Sequence, residues 1–349
     1  MKFSTATLTL LSLTSSSLAY DTANDVTNAF NSAKDVASIT SKVGTDAAYT
    51  EYTSGAGNFD STIQNLAQGA EGPFLAGFTA LFGESHLDTF TSNGLQCNGS
   101  FAGQSQDICD MMAKKMLLCT TLGYSWTQGY KAIAAAESGD GAEAVRLWDE
   151  FYAYWWGDNG SSSAAEVQSK RDLDFGTSFK DDAMNAMMAG QTSAQATPPD
   201  VTGMSTAMTN FNKAIVSTFA QATLKYAFRA EVAEANTDTE DIQWAEGYAY
   251  FACAAGIMDS DLADFVNEKL DPRRMETVPD GLFCEIDSKM QNTTDIGAGT
   301  TYASLKRFKD TPAQFCEEGF VSGSTSVHSL ALRALGLASV VTGAVMLLG

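Results

Sequence analysis

Two carboxylate–phenol pairs recur in this chain at helical spacing. The stretches that carry them are "LWDEFYAYWW" (147–156) and "QWAEGYAYFA" (243–252). Residues four apart share a helix face. Glu150 therefore stands with Tyr154, and Glu246 with Tyr250, while Trp148/Tyr152 and Trp244/Tyr248 form neighbouring stripes that read as core. A carboxylate among large apolar groups must be paired, neutralised or metal-bound, because an unpaired buried charge costs several kcal/mol. Carboxylate and phenolate oxygens suit a hard cation, Fe(III) above all, whose charge can displace a phenol proton. The expected metal ligands are Glu150, Tyr154, Glu246 and Tyr250, with Tyr152 and Tyr248 as further phenols. The structural alternative is that each glutamate bonds a tyrosine hydroxyl or an arginine and locks the core. Arg146 and Arg229 are the cations that could hold an accompanying anion.

The elements that must position these residues read as helices. Prolines are few and fall at edges, and long proline-free stretches rich in Ala, Met, Lys and Glu lie between them. Residues 107–137 form one helix, loosened at Gly123; "SGDG" (138–141) stops it, and 142–156 follow as its partner. After the break "GDNGSSS", the composition of 190–203 reads as a linker. A second long helix is expected over 204–235, then a turn "NTDTED" and a helix beginning "IQWAEGYAYFA". An offset of 96 residues superposes the two hairpins without a gap, aligning Tyr130 with Tyr226 and making five of the seven positions 148–154 identical. The expectation is a mainly α fold, a helical-hairpin bundle with an internal duplication. Its first half is 20–189, and its second half, with a disulfide-clipped C-terminal segment, is 204–321.

Other chemistries are restricted by composition. The chain has two histidines, and His328 lies in a tail expected to be removed. A lone His86 rules out HExxH zinc proteases and any site with two imidazole ligands, and no G-x-S-x-G elbow accompanies it. Glu84, His86 and Asp88 are close in sequence, but a lone histidine is more often a satisfied core or surface residue. "MDSDLADFVNE" lacks the glycine that a calcium loop needs at its sixth position. With 21 Lys+Arg against 42 Asp+Glu and a net charge of −21, the surface repels phosphate backbones, so nucleic acid is not an expected partner.

The ends and the cysteines point to a secreted protein. Residues 1–19 read as a signal peptide, with Lys2, a short apolar run and small residues before Tyr20. From Ser322 the chain runs through small residues and a polar spacer into an apolar stretch shorter than a membrane span. That order fits a GPI-attachment signal over 322–349, with Ser322 as the attachment residue and a true membrane anchor as the rival. Sequons at Asn98, Asn159 and Asn292 agree with the secretory route. Six cysteines in an oxidising compartment imply three disulfides. Fifteen pairings are open: Cys97–Cys109 and Cys284–Cys316 would each clip a loop, leaving Cys119 and Cys253 to tie two helices.

The stretches "YTEYTSGAGNFDSTIQNLAQ" (49–68) and "FTALFGESHLDTF" (78–90), with the repeated "WDEFYAYWW"/"WAEGYAYFA", are similar to the algal Fe-assimilating proteins. That family is also described as high-CO2- or low-iron-inducible periplasmic proteins and is grouped with phytotransferrins. The resemblance spans roughly residues 45–256 and rests on spaced Tyr, Gly, Phe and Glu positions. It implies a surface-held protein that captures ferric iron, with carbonate as a co-ligand and a membrane iron-uptake partner. The second half has no convincing copy of "YTSGAGNF", and "FGTSF" (175–179) is its nearest counterpart; one site between the halves is therefore an alternative to two. Two other functions compete: a structural or adhesive surface glycoprotein without a metal, and a secreted hydrolase using Glu150 and Glu246 as paired carboxylates.

Overall fold

The computed structural model describes residues 20–311 and 315–316, apart from 84, 234–237 and 276. Residues 1–19, expected to be a signal peptide, and Glu84, Ser322, His328 and the C-terminal tail lie outside the described residues. Within them the fold is mainly α, and the only β pairing is two isolated bridges. The helices are α1 (Thr27–Lys42), α2 (Asp46–Ser54), α3 (Ile63–Gly69), α4 (Leu75–Phe82), α5 (His86–Gln96), α6 (Gln106–Glu137) and α7 (Gly141–Trp156). They continue as α8 (Ala164–Phe175), α9 (Phe179–Ala194), α10 (Val201–Val232), α11 (Asp238–Ala254), α12 (Ser260–Leu270), α13 (Leu282–Asn292) and α14 (Tyr302–Leu305).

Side chains in the connecting segments start the long helices. Ser105 accepts from the Ile108 N–H at the head of α6, Asp140 from Glu143 at α7, and Asp200 from Gly203 at α10. Each satisfies one of the N–H groups that a first turn leaves without a partner. The connection expected over 190–203 is shorter, because α9 runs to Ala194 and α10 starts at Val201. Helix α6 passes through Gly123 unbroken. The glycine serves close approach there: a Cβ would lie 2.6 Å from the Leu87 Cδ1 of α5.

The two hairpins α6–α7 and α10–α11 are joined into one body. α6 packs against both α7 and α11, α10 packs against α11 and α9, and α9 returns to α7. The five helices thus close a ring around a core that includes Trp126, Trp148, Trp155, Trp244, Phe211 and Phe219. α6 and α10 each have 32 residues, and α7 and α11 have 16 and 17. Helices α1, α3 and α5 pack on α6, and with α2 they build a smaller second core around Ile39, Tyr52, Leu117 and Tyr154, while α4 lies against residues 255–257. Helices α12–α14 lie against α10 and α11.

The six cysteines pair as Cys97–Cys109, Cys119–Cys253 and Cys284–Cys316, with Cα separations of 5.3, 4.9 and 5.5 Å. The second links α6 to the end of α11, so it bridges the hairpins. Among the described residues, no helix is long and apolar enough to cross a membrane.

Candidate functional site

The two repeated pairs fold into different surroundings. Glu150 bonds the Arg146 guanidinium one turn earlier on α7, and the same guanidinium also takes Glu143. Burial pushes the Glu150 carboxyl up, against the pull of Arg146. Tyr154 is buried edge-on to Phe59 and Tyr124 in the second core. Burial, with Tyr124 and Glu150 nearby, holds its phenol protonated well above the usual range. The first copy is therefore a carboxylate neutralised on its own helix beside a phenol seated among rings.

The second copy gathers more groups. Glu246 is buried and pairs with Lys115 of α6 at 2.9 Å. The phenols of Tyr226, on α10, and Tyr250, one turn further along α11, lie close enough to feel the charge of Glu246. Burial, then the negative charge of Glu246, drives both phenols far above their ordinary range. Lys115 also lies over the Tyr250 ring, 5.2 Å from its centroid. On the other side the Arg171 guanidinium of α8 stands over the Tyr226 ring at 5.4 Å. Arg171 is 3 % exposed. Its Nη2 meets Asp174 at 3.1 Å, while Nε and Nη1 are sealed from solvent with no hydrogen-bond partner. Asp174 is also held by Lys225 at 2.7 Å, and these cations outweigh burial to keep its carboxyl below the usual range.

Helix geometry keeps the two copies apart. The Ser125 hydroxyl bonds the Phe151 carbonyl, 2.8 Å away, and the charge of Lys131 acts on Glu150. Glu246 meets α6 at Lys115 instead. At 1.5 Å per residue, these points lie roughly 15–25 Å apart along α6. Glu150 with Tyr154 and Glu246 with Tyr250 therefore do not converge on one ion. Nor do Glu150 and Glu246 stand within the roughly 5–10 Å that two carboxylates acting on one glycosidic bond require.

Tyr152 and Tyr248 face other partners. Tyr152 stacks on Tyr20 at 3.9 Å, and burial raises its phenol to about 12. Tyr20 in turn bonds Asp149, a fully buried carboxylate that also receives Asn24 and Gln191. Tyr248 donates to Asn267 at 2.8 Å and accepts from Arg273 at 3.0 Å.

The two N-terminal stretches do structural work. Asp35 of α1, fully buried, accepts from the Ala56 and Asn58 N–H groups and from the Asn58 amide, which clamps the "SGAGN" loop. Asp88 receives Tyr52, Gln64, Gln68 and Ser92. His86 is not aimed at Asp88; its ring stacks on Phe82 at 4.0 Å, and burial followed by the charge of Arg273 pushes its pKa down to about 3.

The local spacing in the sequence points to Glu246 and Tyr250 but not to Tyr226, Lys115 or Arg171. The alignment of Tyr226 with Tyr130 is the one sequence signal for the first of these. Lys115 and Arg171 arrive from other helices at no fixed spacing. Arg229 also lies over the Tyr226 ring, at 5.9 Å. Among the described residues, no three His, Cys, Asp or Glu side chains converge as metal ligands. A cation held at Glu246 would have to take phenolic oxygen. No family model matches this chain, and comparison with the curated proteins and with the solved structures found no match.

Proposed function

We propose that this protein captures ferric iron at the extracellular surface, at one site on α10 and α11. Glu246, Tyr226 and Tyr250 are its protein ligands, and carbonate on Arg171 is the co-ligand. The observation that carries this reading is the gathering of two buried phenols within the field of one buried carboxylate, beside a guanidinium with two unpartnered nitrogens. Neutral phenols are poor ligands, and burial keeps these two protonated. A trivalent cation with high charge density is the partner able to displace both protons. Lys115 is 24 % exposed and Glu246 10 %, so the lysine can swing outward and free the carboxylate. The Arg171 fork suits a planar dianion. Three paired disulfides support an oxidising compartment. Anchoring through a lipid at Ser322, and hand-over to a membrane uptake partner, belong to the same proposal. So does the kinship with the algal Fe-assimilating proteins.

The structural reading has its own observation, at the first copy, where Glu150 is neutralised by Arg146. There we assign a role in holding α7 rather than in binding.

A ferric titration with and without bicarbonate, followed in the visible region, tests the proposal. A tyrosinate-to-iron band should grow to one equivalent, with bicarbonate required. It should disappear in Tyr250→Phe and Tyr226→Phe and persist in Tyr154→Phe. Absence of a band, or a band that survives both of the first two substitutions, would overturn the assignment.

A further inference from the structure

The molecule has a second polar cluster, away from Glu246, where cations outnumber carboxylates. A cavity of about 230 Å3 opens beside α5, with Leu81, Phe82, Phe90, Tyr248, Arg273 and Arg274 in its lining. Arg273 is fixed in place. Its Nε and Nη2 bond the two oxygens of Asp271 at 2.8 Å each, and Nη2 also reaches the Tyr248 hydroxyl. Its guanidinium lies over the rings of Phe90, Phe101 and Tyr248 at 4.8–5.3 Å. Nη1 takes no part in these three bonds. Arg274 shares the same carboxylate at 3.2 Å and is 52 % exposed. Among the described residues, Asp271, itself 2 % exposed, is thus one negative charge against two positive ones.

We infer that this cavity binds a small monocarboxylate carrying a single apolar or aromatic ring. One net positive charge at the arginines matches one carboxylate; a phosphate dianion would leave a charge uncompensated. With Nε and Nη2 spent on Asp271 and Tyr248, the N–H groups of Nη1 are the Arg273 donors left for a ligand carboxylate, and the guanidinium held by Asp271 cannot turn away from it. The phenylalanine and leucine wall takes the apolar part, and His86, stacked on Phe82, extends that wall. The volume lies below the usual 300–1,000 Å3 of ligand pockets, which confines the guest to about one ring. An anion-attracting pocket is against the trend of a chain with net charge −21, so its two arginines are not an average of the surface. The inference is independent of iron binding at Glu246, since it uses Tyr248 and not Tyr250.

Calorimetric titration of the purified, iron-free protein with benzoate tests it, with the neutral benzyl alcohol as the control. Saturable binding of benzoate alone is expected. Arg274→Gln should weaken it about fivefold, the size of a rim charge. Arg273→Lys, which keeps the charge and loses the fork, should weaken it more than tenfold, with unchanged circular dichroism showing that the fold persists. No saturable heat at millimolar benzoate would overturn the inference. So would equal binding of benzyl alcohol, or affinity unchanged in both variants.

Discussion

Glu150 and Glu246 show what a residue's neighbours decide. Both sit four residues before a tyrosine in nearly identical stretches, and both were legible as carboxylates that needed partners. Glu150 has its arginine on the same helix, within reach of a sequence argument at i,i−4. Glu246 takes a lysine from α6 and acts on a phenol from α10, which no local spacing encodes. His86 carries a prediction at this scale. The unfolded chain protonates it near pH 6.5 and the folded protein only near pH 3, so between these values the unfolded state holds more protons. Stability from this group is complete above pH 6.5 and is lost as the pH falls toward 3, by on the order of 5 kcal/mol. His86→Phe keeps an aromatic ring in the stack and removes the titration. Denaturant unfolding near neutrality and at about pH 4.5 should show the wild type losing about 2–3 kcal/mol more than the variant on acidification. Equal losses would mean that the imidazole is protonated within the fold.

Among the elements, the long helices were readable from composition, caps and the scarcity of proline. Their ends were less so. "GQTSAQATPPDVTG" reads as a linker, yet its first residues continue α9 because they have packing to gain: Gly190 lies against the indole of Trp148, which donates to the Met187 carbonyl at 2.9 Å. A Cβ at Gly190 would stand 1.8 Å from the Trp148 Cζ2. Gly190→Ala should therefore lower stability by about 1–3 kcal/mol from overpacking, although alanine is the better helix former by about 1 kcal/mol. Thermal unfolding reads the sign; a higher Tm would show that the indole does not seat on α9.

For the whole molecule, the consequential contact is between hairpins. α6 touches both α7 and α11, and Cys119–Cys253 closes a loop of 134 residues across that junction. Replacing both cysteines by alanine should cost about 3–5 kcal/mol, since long loops gain most from closure. Urea unfolding of the double variant against the wild type measures it, and a change under 1 kcal/mol would show that helix packing alone holds the hairpins in register. The ring is also why the two hairpins do not form one symmetric site. α6 lies between α7 and α11, so equivalent residues on those helices meet different faces and different levels of α6.

From the sequence alone came the helical class, the paired hairpins, the shared face of each Glu and Tyr, and a cysteine set able to clip two loops and tie two helices. These depend on periodicity and local spacing, which a chain carries before it folds. Tertiary structure alone decided that Tyr226, Lys115 and Arg171 join Glu246 and Tyr250, that Tyr152 and Tyr248 serve other partners, and that the two copies part company. Those outcomes depend on which helices become neighbours and at what height. The burial of the whole ring, summed over many side chains, determines that, and no single stretch contains it.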